Sequence, residues 1–191
     1  MLYSGKDLRK LIIPLIIEQI LAIAVGMADT IMVSAAGSGV SLVDTVNILL
    51  INVFSALATG GAVVSGHFLG KKKREDACKS AWQILLFATL LAFVISVIFI
   101  TAHDPLLRLM FGKIEDDVMK ASKTYLIITT YSFVALAIYN SCAALFRAMN
   151  ESKVTMWVSL LMNVINVVGN AICIYGLHMG VAGVAIPTTI S

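Results

Sequence analysis

The sequence predicts an all-α, polytopic membrane helix bundle with five complete transmembrane helices and the start of a sixth. Three observations carry this. Of 191 residues, 59% are hydrophobic and only 13% charged, where soluble domains carry about a quarter, and mean hydropathy is +0.94. Runs almost free of charge recur at Leu11–Val33, Val43–Leu69, Trp82–Ala102, Tyr125–Phe146 and Val154–Tyr175, each reaching the roughly 20 residues a spanning helix needs. None alternates in polarity over the about 9–11 residues of a barrel strand, so helices are left to satisfy the backbone in lipid. A sixth run opens at Val181 and reaches Ser191. Residues 1–191 read as a single transmembrane domain.

The first run follows Lys6, Arg9 and Lys10, yet it exceeds the apolar core of a signal peptide and lacks a small-residue cleavage site, so it reads as a retained helix 1. Asp44, after Ser41, is expected to cap the outer start of helix 2. Along helix 2, Asn52, Ser55, Thr59 and Gly66 recur at helical spacing, which suggests close packing. Gly66 and Gly70, like Gly176 and Gly180, have GxxxG spacing, which by itself indicates no dimer. His67 precedes the loop "GKKKRED" and reads as an interfacial residue, and "EDDVMK" at 115–120 reads as a solvated external loop.

Lys and Arg fall unevenly on the two sides. Lys6, Arg9, Lys10, Lys71, Lys72, Lys73, Arg74, Lys79, Arg147 and Lys153 lie on one, and Arg108, Lys113, Lys120 and Lys123 on the other. The richer side is expected to be cytoplasmic, which places the N-terminus inside a cell inner (plasma) membrane. The connections "GSGVS" and "GLHMG" carry no charge and fall outside. The "KKKR" run and the net charge of +3 are thus topological, and nucleic acid is not an expected partner.

Several chemistries find no support. Cys78, Cys142 and Cys173 form no close pair, so they indicate neither disulfide nor zinc and read as packing residues. "GSGVSL" and "GKKKR" fail the dinucleotide and P-loop patterns, and no cofactor or enzymatic site is expected. "NES" at Asn150 matches a glycosylation sequon but falls on the cytoplasmic side.

Function is left to polar residues within helices. An acid at the centre of a helix costs about 2.5–3.5 kcal/mol on insertion scales, so such groups face the bundle or a wet cavity. Helix 1 has two, Glu18 and Asp29, whose separation places them about 20° from one face and about 16 Å apart along the axis. Pro14, four residues before Glu18, removes a backbone hydrogen bond and permits a bend. Helix 5 carries Ser159, Asn163, Asn166 and Asn170 on one face. Amide oxygens coordinate hard cations or accept from a protonated carboxyl, and the NH2 groups donate to a carboxylate. The alternative for these amides is helix–helix glue, at about 0.6 kcal/mol per pair. Glu18, Asn52, Thr59 and Asn163 are expected to line a pathway.

In order and spacing, several segments resemble the multidrug and toxic compound extrusion (MATE) transporters along essentially the whole chain. They are the proline fifteen residues before the Asp of "ADTIMVS", the helix 2 exit "ALATGGAVVSGHFLGKKK", the turn "ALFRAMNESK", the helix 5 stretch "NVINVVGNAICIYG" and "GVAGVAIPTTIS" opening helix 6. The resemblance implies a twelve-helix antiporter of two six-helix lobes, exporting small organic, often cationic, compounds by alternating access. It implies that Asp29, Asn166, Asn170 and Thr188 form the site for the coupling ion, H+ or Na+, and that helix 1 bends at Pro14. Part of the family has a second carboxylate where this chain has Asn170. The chain ends within helix 6, so the resemblance covers an N-terminal lobe whose C-terminal lobe, or a partner half, would be needed to form the cleft. Two alternatives stand beside this reading. A lipid-linked oligosaccharide or lipid flippase of the same superfamily calls for a cationic cavity, whereas the expected interior holds Asp29 and Glu18 and no Arg or Lys. A non-transporting membrane scaffold or half-protein would need only a partner.

Overall fold

A computed structural model of the chain describes residues 5–35, 38–112, 115–177 and 179–191. Among these, every regular element is helical: α1 (Gly5–Ala35), α2 (Ser38–Gly70), α3 (Arg74–Thr101), α4 (His103–Phe111), α5 (Asp116–Thr130), α6 (Phe133–Ala148), α7 (Ser152–Ala171) and α8 (Gly180–Ile190), with a π-helical segment Ile172–Gly176 extending α7. Val40–Gly70, Arg74–Thr101 and Ser152–Gly176 are each long and apolar enough to cross a membrane, and α5 with α6 makes a fourth crossing if the bent pair is one span. The apolar stretches Ile12–Ala24 of α1 and Val181–Ile190 of α8 are shorter among the described residues.

Helix α2 is the spine. Val43, Asn47, Leu50, Phe54, Ala58, Ala62 and Ser65 are buried along it at helical spacing. Its upper part packs with Leu107, Tyr125, Leu126, Val184 and Ala185, its middle with Ala88, Ala92, Phe133 and Ala137, and its lower part with Ala144. Helix α2 therefore lies against α3, α5 and α6, while α1 packs on α7 and α8 sits between α5 and α7. The face of Asn52, Ser55, Thr59 and Gly66 is not the close-packed one: Asn52 and Thr59 are exposed.

Other expectations are corrected. The predicted helix over 125–146 is two helices bent by 49°, although "TTYSF" contains neither Pro nor Gly. Hydroxyls take the carbonyls at the break: Ser96 Oγ donates to the Thr130 carbonyl at 3.3 Å, Thr189 Oγ1 to that of Ile128 at 3.3 Å, and Ser132 Oγ to that of Thr129 at 2.7 Å. Broken backbone is tolerated at membrane depth when neighbouring side chains re-satisfy it.

Helices also outrun the apolar runs, since a helix need not stop where lipid does. Helix α3 begins at Arg74 rather than Trp82, with acids in its first turn and a Lys79–Glu75 pair of 2.8 Å supporting the solvated end. Helix α2 begins at Ser38, so Ser38–Ser41 is helix rather than loop. Asp44 therefore does not cap its start; it is half-buried inside the helix and accepts from Tyr125 Oη at 3.3 Å. Asp116 and Asp117 open α5 rather than lying in a loop. No apolar run marks the amphipathic α4, and Lys123 of α5 reaches both Asp104 oxygens at 3.2 Å. Cys78 is exposed and is no packing residue. Lys113, Gly37 at the start of "GSGVS" and His178 in the middle of "GLHMG" lie outside the described residues.

The α2–α3 and α6–α7 turns have one design. At the first, Lys73 N donates to Phe68 O and Lys72 N to Leu69 O, both at 3.0 Å, with Lys72 at φ 58°. At the second, Glu151 N donates to Phe146 O at 2.9 Å and Asn150 N to Arg147 O at 3.0 Å, with Asn150 at φ 68°. Both are Schellman endings with a non-glycine left-handed residue.

Candidate functional site

A cavity of about 630 Å³ opens between α1, α2, α6, α7 and α8, within the range of small-molecule sites. Leu15, Glu18, Gln19, Ala22 and Gly26 give it one face of α1, and Asn52 and Ser55 come from α2. Ser159, Met162, Asn163 and Asn166 come from α7, and Thr188 and Ser191 from the end of the chain. The stripe on α7 and the acid-bearing face of α1 thus meet at one space.

At one end of this space lies Asn166, while Asn170, one turn further along α7, is not among the lining residues; the two are 8% and 0% exposed. Asn170 Nδ2 donates to Asn166 Oδ1 at 3.2 Å, and Asn166 Nδ2 to Ser191 Oγ at 3.4 Å. Thr188 donates to the Val184 carbonyl at 2.8 Å, which leaves its oxygen lone pairs as acceptors. Asn163 lines the cavity, and its Nδ2 has no hydrogen-bond partner among the described residues. The backbone of Asp29 lies in α1, three residues beyond Gly26; its side chain lies outside the described residues.

Glycine sets the close approach of α7 to α8. A Cβ on Gly169 would fall 2.8 Å from Pro187 Cβ, and Pro187 is buried and rigid. Gly169→Val is expected to push α8 away and destabilise the bundle by about 1–3 kcal/mol, read as a lowered Tm in detergent. Gly60→Ala, where a Cβ meets nothing within 4 Å, should leave Tm unchanged or raise it.

At the other end, Glu18 is no free acid. Arg147 Nη2 donates to its Oε1 at 2.7 Å, and Thr155 Oγ1 donates to its Oε2 at 3.2 Å. The Glu18 side chain is 12% exposed and that of Arg147 35%. Beside them Tyr139 and Ser159 also line the cavity. The clamp ties α1 to α6 and α7 one turn after Pro14, which is itself buried inside α1. The expectation of no Arg or Lys in the interior is therefore overturned by Arg147. A signal was present: Asn140 and Arg147 are seven residues apart on α6 and share a face, and both line the cavity. Thr59 does not line it; its hydroxyl donates to the Ser55 carbonyl at 2.7 Å, and it borders a separate space of about 360 Å³ between α2 and α6.

The model of the MatE family matches residues 14–172. The chain belongs to the MatE family. Among relatives, it is 33% identical to the uncharacterized transporter YisQ of Bacillus subtilis, over 93% of this chain and 40% of that one. It is 27% identical to the probable multidrug resistance protein NorM of Halalkalibacterium halodurans, over 91% of this chain and 38% of that one. An outward-facing structure of a multidrug resistance MATE family transporter of the MOP superfamily superposes with TM-score 0.86 at 24% identity, covering 97% of this chain and 42% of that one. This MatE chain thus spans about 40% of the length of the relatives it matches, and those relatives are described as transporters or resistance proteins rather than enzymes.

Proposed function

We propose that the chain is the N-terminal lobe of a cation-coupled antiporter that exports small organic cations by alternating access. The observation that carries the reading is the cavity of about 630 Å³, walled by amides and hydroxyls in a bundle otherwise suited to lipid. An empty apolar gap would need none of these groups. A space that takes up a hydrated ion and a polar substrate needs them, because unpaired polar groups in hydrocarbon are costly.

In this reading Asp29 accepts the coupling ion, H+ or Na+, and Asn166, Asn170 and Thr188 supply neutral oxygens beside it. The spacing of Ala22 and Gly26 along the cavity-lining face of α1 supports this, since position 29 continues it at helical period. Neutralising Asp29 then frees α1 to bend at Pro14 and release substrate outward. The excess of Lys and Arg on the side of the α2–α3 and α6–α7 turns supports a cytoplasmic N-terminus in the inner membrane.

Arg147 is the observation that favours a flippase for anionic lipid-linked substrates. Its pairing with Glu18 at 2.7 Å cancels its charge within the cavity, which leaves cations the better-suited cargo.

The test is export of a lipophilic cationic dye, ethidium, from cells producing the full-length protein. Export should fall at least fivefold when the proton or the sodium gradient is collapsed selectively, and the effective treatment names the ion. Export indifferent to both gradients would overturn ion coupling.

A further inference from the structure

A further cavity, of about 430 Å³, lies apart from the polar one, between the lower ends of α2, α3 and α6. Leu69, Ala77, Ala81, Leu145 and Met149 make most of its wall apolar, and Arg74 stands in that wall at the first turn of α3. The hydroxyl in the wall is already engaged: Ser65 Oγ donates to Ser80 Oγ of α3 at 3.1 Å. The efflux reading gives this space no role.

Its charge is distinctive. Arg74 follows Lys71, Lys72 and Lys73 in the α2–α3 turn, and all four are exposed. The local acids are spoken for by other cations, with Glu75 2.8 Å from Lys79 and Asp76 3.9 Å from Lys73. Among the described residues no ion pair engages Lys71, Lys72 or Arg74. A concave apolar slot beneath an uncompensated basic turn, at the level where a spanning helix leaves the bilayer, matches an amphiphile with an anionic head and a hydrocarbon tail. Basic pockets between membrane helices recognise anionic headgroups in this way. Guanidinium pairs with phosphate in a bidentate fork. A zwitterionic headgroup would bring its own cation against Lys71 and Lys72.

We propose that this cavity binds one anionic phospholipid, with its phosphate on Arg74 beside Lys71 and Lys72 and an acyl chain against Leu69, Ala81, Leu145 and Met149. The bound lipid fills the gap between the α2–α3 hairpin and α6. Transport is not required for the site to exist, so its failure and that of the efflux reading are separately visible.

Cys78 supplies a local probe, since it lines the cavity and is exposed. Full-length protein in which Cys78 is the sole cysteine would be placed in nanodiscs of phosphatidylcholine alone or of phosphatidylcholine and phosphatidylglycerol at three to one, and labelled with a maleimide. Labelling should slow at least threefold with phosphatidylglycerol, and Arg74→Gln should abolish the difference. Native mass spectrometry of the same proteins should show at least fivefold less retained phosphatidylglycerol in Arg74→Gln, with circular dichroism verifying that the variant is folded. Equal labelling in the two membranes, or equal retention by the variant, would overturn the site. Protection of Cys78 by inorganic phosphate in phosphatidylcholine nanodiscs would also overturn it, in favour of a free-anion site.

Discussion

Asp29→Asn in the full-length protein is expected to reduce gradient-driven dye export at least tenfold while leaving the amount of protein in the membrane unchanged. The substitution keeps the shape and hydrogen-bonding reach of the side chain and removes its ability to carry a negative charge or exchange a proton. The proposed partners Asn166, Asn170 and Thr188 are neutral, so no second carboxylate among them can take over. A carboxylate is worth its insertion cost of about 2.5–3.5 kcal/mol only if the charge is used. Asp29→Glu should retain part of the activity. Export by Asp29→Asn equal to wild type would remove the proposed coupling site, and the amide stripe of α7 would then be reduced to helix packing.

Arg147→Gln is expected to be the most destabilising single change among the residues described, by about 3 kcal/mol. It strands Glu18, which is 12% exposed and would keep only Thr155 as a donor. Removing one member of a shielded ion pair leaves an uncompensated charge, which costs more than the pair itself contributes. The double variant Glu18→Gln/Arg147→Gln should therefore recover much of the loss, and the non-additivity measures the coupling. Thermal unfolding in detergent reads all three. If Arg147→Gln left Tm within a degree of wild type, the clamp would be ornamental. Because Glu18 lies one turn after Pro14, the variants should also differ from wild type in the conformation of α1, which a spin-label pair on α1 and α7 would report.

The α7 stripe shows how far the sequence reaches. Asn163, Asn166 and Asn170 are too polar for lipid and share a face by helical period, which is local information. Glu18 was equally visible as an intramembrane acid, but its partner was not. Arg147 is 129 residues away and sits next to a turn, so its charge read as a membrane-topology signal. Asn47 is hidden for a related reason: in sequence it is one more residue of an apolar helix, yet it is buried and its Nδ2 donates to Thr129 Oγ1 at 3.3 Å. The break between α5 and α6 had no Pro or Gly to announce it. Its carbonyls are held by Ser96 and Thr189, which belong to other helices.

By itself the sequence determined that this protein is a helical membrane bundle, which faces of α1 and α7 could not tolerate lipid, and the family to which the order of its motifs points. These follow from composition and from the period of a single helix, each set within a few turns of chain. The tertiary structure alone decided that Glu18 is clamped by Arg147, that the polar faces of α1 and α7 enclose a common cavity, and that a separate apolar slot lies beneath the basic turn. Such facts depend on the rotation and separation of packed helices, fixed by many weak contacts between distant residues, among them Gly169 against Pro187.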